Sequence, residues 1–304
     1  MSTTVLFTLG PDGTPVGVDP TTPLVRADDH AVLRGEAIFE TLRTYGGHAF
    51  QLPEHLARLR ISAARINLAV PGSTTLRRLV ETAATAFASV EGQLRLVVTP
   101  GPRRPDGSPP GQVGPQGPGV SGGVAFALVT EVPPGYEAAR ARGIAAVTLA
   151  LGVPATLRPS APWLLGGVKA TSYAVAMAAL RVAAEAGAAD AIWVSSDGEV
   201  LEAPTSTVVM VVDGDLVTPP AAEVGILPGT TVRAVEALAG GIVERRITVA
   251  ELRAARELML LSSVRGVAPL VTLDGAPIGD GAVGPVTAGL RDSLEEAVRS
   301  GQEL

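Results

Sequence analysis

Between residues 100 and 123, proline and glycine recur so densely that no helix or central strand can run through the stretch. A loop of that length within a compact domain is an insertion or a lid, and the low-complexity composition favours an insertion. Pro133-Pro134-Gly135-Tyr136 is a second interruption and a candidate interdomain linker. Together they break a chain of 304 residues into two parts, each long enough to bury its own core.

In the first part, Val5 to Gly10 reads as a strand closed by the turn Pro11-Asp12-Gly13. From Phe39 the pattern alternates, with Phe39, Thr41 and Arg43 on one side and Glu40, Leu42 and Thr44 on the other. Both faces of that strand are partly polar, which is unusual for plain core. Gly46-Gly47 turns it into a return strand, His48 to Leu52. Pro53-Glu54 then opens a helix. Leu56, Leu59, Ala63 and Ile66 form its apolar stripe, and Arg58, Arg60, Ser62 and Arg65 lie off the stripe, as on a solvated face. A second helix over 73–89 leads to strands at 94–99 and 124–132. The second part alternates more regularly. Strands are expected at 144–150, 191–195, 199–202, 207–212, 258–263 and 270–273, and helices at 172–185, 232–239 and 286–299. Nothing repeats at a fixed period.

Bulk properties exclude several classes. Thirty acidic against 24 basic residues give a net charge of −6, which is no nucleic-acid footprint. Cysteine is absent, removing disulfides, thiolate metal sites and cysteine nucleophiles. His30, His48 and His55 lack metal-ligand spacing and read as solvated or hydrogen-bonded surface residues, so no metal is expected. No apolar run reaches the ~18 residues of a membrane span. The first residues lack the pattern of a secretory signal, so a cytoplasmic protein with no membrane partner is expected.

Of the 24 basic residues, Lys169 is the single lysine. An ε-amine can lose its proton and attack a carbonyl, whereas a guanidinium stays charged. The lone lysine is either a retained nucleophile, most plausibly toward pyridoxal phosphate (PLP), or a remnant of codon bias. PLP also needs a phosphate cradle and an acid at its ring nitrogen. Pro228-Gly229-Thr230-Thr231 opening a helix suits an anion. Glu202 ends a strand 33 residues after Lys169 and offers the acid.

Taken in this order, the motifs resemble the fold-type-IV PLP enzymes, which comprise branched-chain aminotransferases, D-amino acid aminotransferases and 4-amino-4-deoxychorismate lyases. The motifs are Arg34-Gly-Glu-Ala-Ile-Phe-Glu-Thr-Leu-Arg43, Glu54-His-Leu-Ala-Arg58-Leu, Lys169-Ala-Thr-Ser-Tyr173, Glu202 with Thr205-Ser-Thr207, Ile226-Leu-Pro-Gly-Thr-Thr231, and Ser262-Ser-Val-Arg-Gly-Val-Ala-Pro269, spanning roughly residues 25–275. The resemblance implies a two-domain architecture of α+β or α/β type. A small N-terminal α/β domain would cover residues 1–132 and carry the Pro/Gly-rich loop 100–123. A linker at 133–141 would lead to a larger PLP-binding domain at 142–304, mixed and β-barrel-like with helices.

The same resemblance makes Lys169 the Schiff-base lysine and proton shuttle, and Arg58 a ligand of the PLP phosphate, overriding the solvated reading of that residue. It makes Thr230, Thr231 and Ser263 the rest of the cradle, Glu202 the pyridinium partner, and Tyr173 a neighbour of the phenolic oxygen. Three positions depart from the family pattern: Gly35-Glu36-Ala37, Ala203 and Ser206-Thr207. Phe39-Glu40-Thr41 and the residues after Lys169 look most like the lyases, whose threonine hydroxyl, here Thr41, lies near the lysine. The implied activity is elimination of pyruvate from aminodeoxychorismate to give 4-aminobenzoate for folate. A D- or branched-chain aminotransferase, or a non-catalytic PLP-binding protein, is the alternative. Substrate carboxylates call for arginines; Arg95, Arg103, Arg104 and Arg265 are candidates, with Arg265 ranked first. A homodimer is expected from the family.

Overall fold

The computed structural model describes residues 4–87, 91–102, 123–302 and 304. The chain forms two compact units. One contains the residues up to Val132 together with Val168–Ser172, and the other contains Pro133–Gly167 and Tyr173–Gln302.

The first unit holds strands β1 (Thr4–Leu9), β2 (Pro15–Val18), β3 (Ile38–Tyr45), β4 (His48–Ala49), β5 (Gly92–Val98) and β6 (Ala125–Glu131). They pair antiparallel throughout, in the order β2-β1-β6-β5-β3-β4. Helices α1 (His30–Leu33), α2 (Leu52–Arg65) and α3 (Ser73–Ala86) complete it. Side chains alternate across the strands, so Ile38, Leu42, Leu94, Leu96, Ala127 and Val129 fall on one face. That face packs with Leu56, Leu59 and Ala63 of α2 and Leu79, Val80 and Ala83 of α3 into one core. Full burial of each of these leucines contributes about 1.5–3 kcal/mol. Pro53 pre-sets the first turn of α2 and Glu54 complements its dipole. The predicted stripe is buried as far as Ala63, and Arg60 and Arg65 are exposed. Arg58 and Ser62 are buried instead of solvated. The helix lies so close to β3 that its flank, as well as its stripe, is covered.

The second unit holds α4 (Tyr136–Arg142), β7 (Ile144–Ala150), α5 (Leu157–Ser160), α6 (Ala174–Glu185), β8 (Asp190–Val194), β9 (Thr207–Val212), β10 (Asp215–Thr218), α7 (Ala221–Val224), α8 (Thr230–Ala239), β11 (Val243–Glu244), α9 (Val249–Ala254), β12 (Glu257–Ser262), β13 (Gly266–Leu273), β14 (Ala276–Pro277) and α10 (Pro285–Ser300). Its sheet is mixed, in the order β11-β10-β9-β12-β13-β7-β8, with β14 on β13. The pairs β10/β11, β13/β7 and β7/β8 are parallel. Two sheets with their helices make the chain an α+β fold.

Three differences from the sequence reading have physical causes. The stretch 133–141 is not bare linker, because Tyr136–Arg142 forms α4, whose Arg140 pairs with Glu295 of α10. Residues 199–202 form no ladder strand; they are held by isolated bridges of Val200 to Val194 and Glu199 to Thr248. Lys169, assigned with the C-terminal domain, belongs to a five-residue segment that joins the first unit.

Candidate active site

In the first unit, the Lys169 segment runs beside the start of β3. Ala170 bridges Ile38, the Phe39 N–H donates to the Lys169 carbonyl (3.1 Å), and the Thr171 N–H donates to the Ala37 carbonyl (2.8 Å). The Lys169 N–H donates to Ser62 Oγ at 3.1 Å, so both backbone groups of the lysine are fixed. Gly35 lets this approach happen. Its φ is +71°, and a Cβ there would lie 3.1 Å from Ser172 Cβ. Lys169 is buried, with Nζ 4.7 Å from the centre of the Phe39 ring, a cation–π distance.

One turn before Ser62 on α2 stands Arg58. Its Nε donates to Glu40 Oε1 (2.8 Å) and its Nη2 to Glu40 Oε2 (2.6 Å). His55 Nδ1 lies 2.7 Å from the same Oε2. Burial alone would raise the Glu40 carboxyl, but the Arg58 charge and the hydrogen bonds from Arg58 and His55 hold it at about 2. His55 is pushed down by burial, against the pull of Glu40 and helped by the Arg58 and Lys169 charges. The surface reading of His55 is thus corrected: it is buried on a carboxylate 15 positions away, a pairing that spacing along the chain could not reveal.

On the other face of the same sheet, Thr41 shares a side with Phe39 and faces Arg95 of β5 directly across the register. Thr41 is half-buried and Arg95 exposed. Arg103 and Arg104 lie outside the described residues.

The second unit carries the remaining predicted groups. Helix α8 starts at Thr230 with Gly229 as its cap, and no side chain caps it. A Cβ on Gly229 would come within 2.5 Å of Thr207 Oγ1, so only glycine brings the backbone this close. Thr230 and Thr231 are buried in the first turn, and Thr230 Oγ1 lies 3.5 Å from Ser263 Oγ. A helix N-terminus flanked by three hydroxyls fits a phosphate. Glu202 accepts from Arg158 Nη1 (3.2 Å) and from the Leu227 N–H (3.1 Å). Tyr173 caps the start of α6, four residues after Lys169. Arg265 is buried, its Nη2 donating to Asp190 Oδ2 and Ser206 Oγ. Arg265, ranked first for a substrate carboxylate, thus already has Asp190 as an anion beside it. Among the described residues, no His/Cys/Asp/Glu group could hold a metal, and no helix is long and apolar enough to cross a membrane.

The chain is similar to several known proteins. A curated relative from Mycobacterium tuberculosis, described as a bifunctional aminodeoxychorismate lyase / D-amino acid transaminase, is 39% identical over 91% of this chain and 95% of its own. D-alanine aminotransferase of Listeria monocytogenes is 30% identical over 92% of this chain and 93% of its own. Among solved structures, the PLP-bound form of a hypothetical aminotransferase from M. tuberculosis aligns with a TM-score of 0.85 at 35% identity, covering 98% of this chain and 100% of that one. The model of the amino-transferase class IV family matches residues 37–273, which takes in β3, the lysine segment, Glu202 and α8, and the chain belongs to that family.

Proposed function

We propose that the chain is a PLP-dependent 4-amino-4-deoxychorismate lyase that releases pyruvate and 4-aminobenzoate. The observation that carries this reading is the row beside β3: Lys169 Nζ over Phe39, Thr41 two residues along the same side, and Arg95 across from Thr41. The lyase half of the M. tuberculosis relative's description supports it. PLP is the cofactor. It supplies a ring that takes up the electron pair left when a proton departs from the carbon bearing the substrate nitrogen.

The rest falls to the chain's own side chains. In the first unit Arg58, kept in one orientation by Glu40, would serve the cofactor's phosphate; in the second, the α8 N-terminus with Thr230, Thr231 and Ser263 would do so. Glu202 would hold the ring nitrogen in its protonated form. Lys169 Nζ accepts the proton from the substrate carbon and returns it, its backbone pinned by Ser62 and Phe39 so that only the side chain moves. The Thr41 hydroxyl donates toward the departing oxygen. Arg95 replaces Arg265 as the receiver of a substrate carboxylate, because it is exposed on the Thr41 side of the sheet. Tyr173 would stand near the cofactor's phenolic oxygen. The enzyme works as a cytoplasmic homodimer on a small-molecule substrate.

D-amino acid transamination is the second reading, favoured by the other half of the M. tuberculosis relative's description and by the Listeria enzyme. Two product assays separate them. Purified protein given aminodeoxychorismate should yield pyruvate and 4-aminobenzoate in equal amounts. Given D-alanine and 2-oxoglutarate, it should yield little glutamate by comparison. Glutamate without 4-aminobenzoate would replace the lyase reading by the transaminase one.

A further inference from the structure

Arg158 is a residue that neither the sequence motifs nor the proposed reaction uses, yet three parts of the second unit converge on it. Its Nη1 donates to Glu202 Oε1 at 3.2 Å, and both side chains are mostly buried, with 14% and 17% of their surface exposed. The other oxygen of Glu202 is held by the Leu227 N–H, one residue before Pro228 and the α8 cradle. Two glycines shape the slot for Arg158. A Cβ on Gly166 would lie 3.0 Å from Arg158 Cβ and 3.2 Å from its Nε, and would also strike the Gly225 carbonyl at 2.6 Å. A Cβ on Gly225, whose φ is +62°, would come within 2.7 Å of Arg158 Cβ. Gly166 is three residues before Lys169 in the chain.

We infer that Arg158 is the positioning residue for Glu202: it keeps that carboxylate ionised and aimed, so that the proton shared with the cofactor's ring nitrogen stays on the ring. The inference rests on the PLP reading of Glu202. Its physical basis is a competition for one proton. In a dry pair, a carboxylate and a pyridine nitrogen can share the proton either way, and the neutral arrangement avoids separated charge. A guanidinium on the far side of the carboxylate lowers its proton affinity more than that of the more distant nitrogen. With Arg158 present the proton therefore resides on nitrogen, and the ring withdraws electrons fully. The 3.2 Å single contact is a charge-assisted hydrogen bond, and its loss removes a matching part of that bias.

The test uses holoenzyme loaded with PLP labelled with ¹⁵N at the ring nitrogen. The wild type should show the chemical shift of a protonated nitrogen. Glu202→Gln should move it toward the unprotonated value; an unchanged shift there would mean that Glu202 is not the ring's partner, and the cofactor reading itself would fall. Arg158→Gln should move the shift in the same direction by a smaller amount, lower kcat about tenfold and leave KM within about twofold. Arg158→Lys, which retains the charge, should recover part of the shift, and it serves equally if the glutamine variant does not fold. A wild-type shift and wild-type kcat in Arg158→Gln, with Glu202→Gln responding as expected, would overturn the role of Arg158 while leaving the PLP site intact.

Discussion

Glu40 is the carboxylate on which the buried cluster of the first unit depends, and replacing it with glutamine isolates its charge. Glutamine has nearly the same shape but leaves Arg58 with no anion. The carboxyl falls from its ordinary 4.5 to about 2 in the folded chain. At about 1.4 kcal/mol for each pH unit between those two values, its ionisation contributes on the order of 3 kcal/mol. Stripping one partner from a buried ion pair costs about 3–5 kcal/mol, which agrees. The folded value is depressed, so this stability is complete above 4.5 and is lost as pH falls through about 2. At pH 3 less than half of it should remain, on the order of 1 kcal/mol. Urea unfolding of the apoprotein, followed by far-UV circular dichroism at pH 7, 5 and 3, reads the difference between wild type and Glu40→Gln. The double variant Glu40→Gln/Arg58→Met should recover much of the loss, since no buried charge is stranded. A cost below about 1 kcal/mol at pH 7, or one equal at pH 7 and pH 3, would refute the view that Glu40 neutralises Arg58.

Three other outcomes are expected. Lys169→Ala should abolish turnover and let PLP be removed by dialysis; normal product formation would remove the lysine from the mechanism. Arg58→Ala should weaken PLP binding, measured by titrating apoprotein, far more than Arg60→Ala, because Arg60 is exposed and turned to Ser73. Arg95→Gln should raise KM for the carboxylate substrate by about tenfold or more, a charge-assisted contact's worth, while Thr41→Val should lower kcat of pyruvate release with KM nearly unchanged.

The elements were legible where a local period governs them. Leu56, Leu59 and Ala63 mark α2, and the Phe39–Thr44 alternation marks β3, because a helix or strand that buries one side must repeat at its own spacing. The cofactor motifs were legible because each is short and contiguous. What stayed hidden was every pairing across a long stretch of chain. Glu40 meets Arg58 and His55 from 18 and 15 positions away, and Asp190 meets Arg265 from 75. Nothing at Arg265 itself reveals that Asp190 stands beside it. The same distance hid Arg158 beside Glu202, 44 positions apart. Short strands such as β2 and β10 were missed because four residues make too brief a pattern to stand out from loop.

The excursion of Val168–Ser172 into the first unit has a consequence for how the chain can be divided. A gene fragment ending at Val132 would encode nearly all of that unit yet omit the segment that meets Phe39, Ala37 and Ser62. The fragment would leave the Ala37 carbonyl and the Phe39 N–H without their partners, a raw β edge of the kind that recruits other chains. A fragment starting at Pro133 would carry the lysine on a tether with nothing to dock it. A cut at the linker therefore does not separate two self-sufficient pieces.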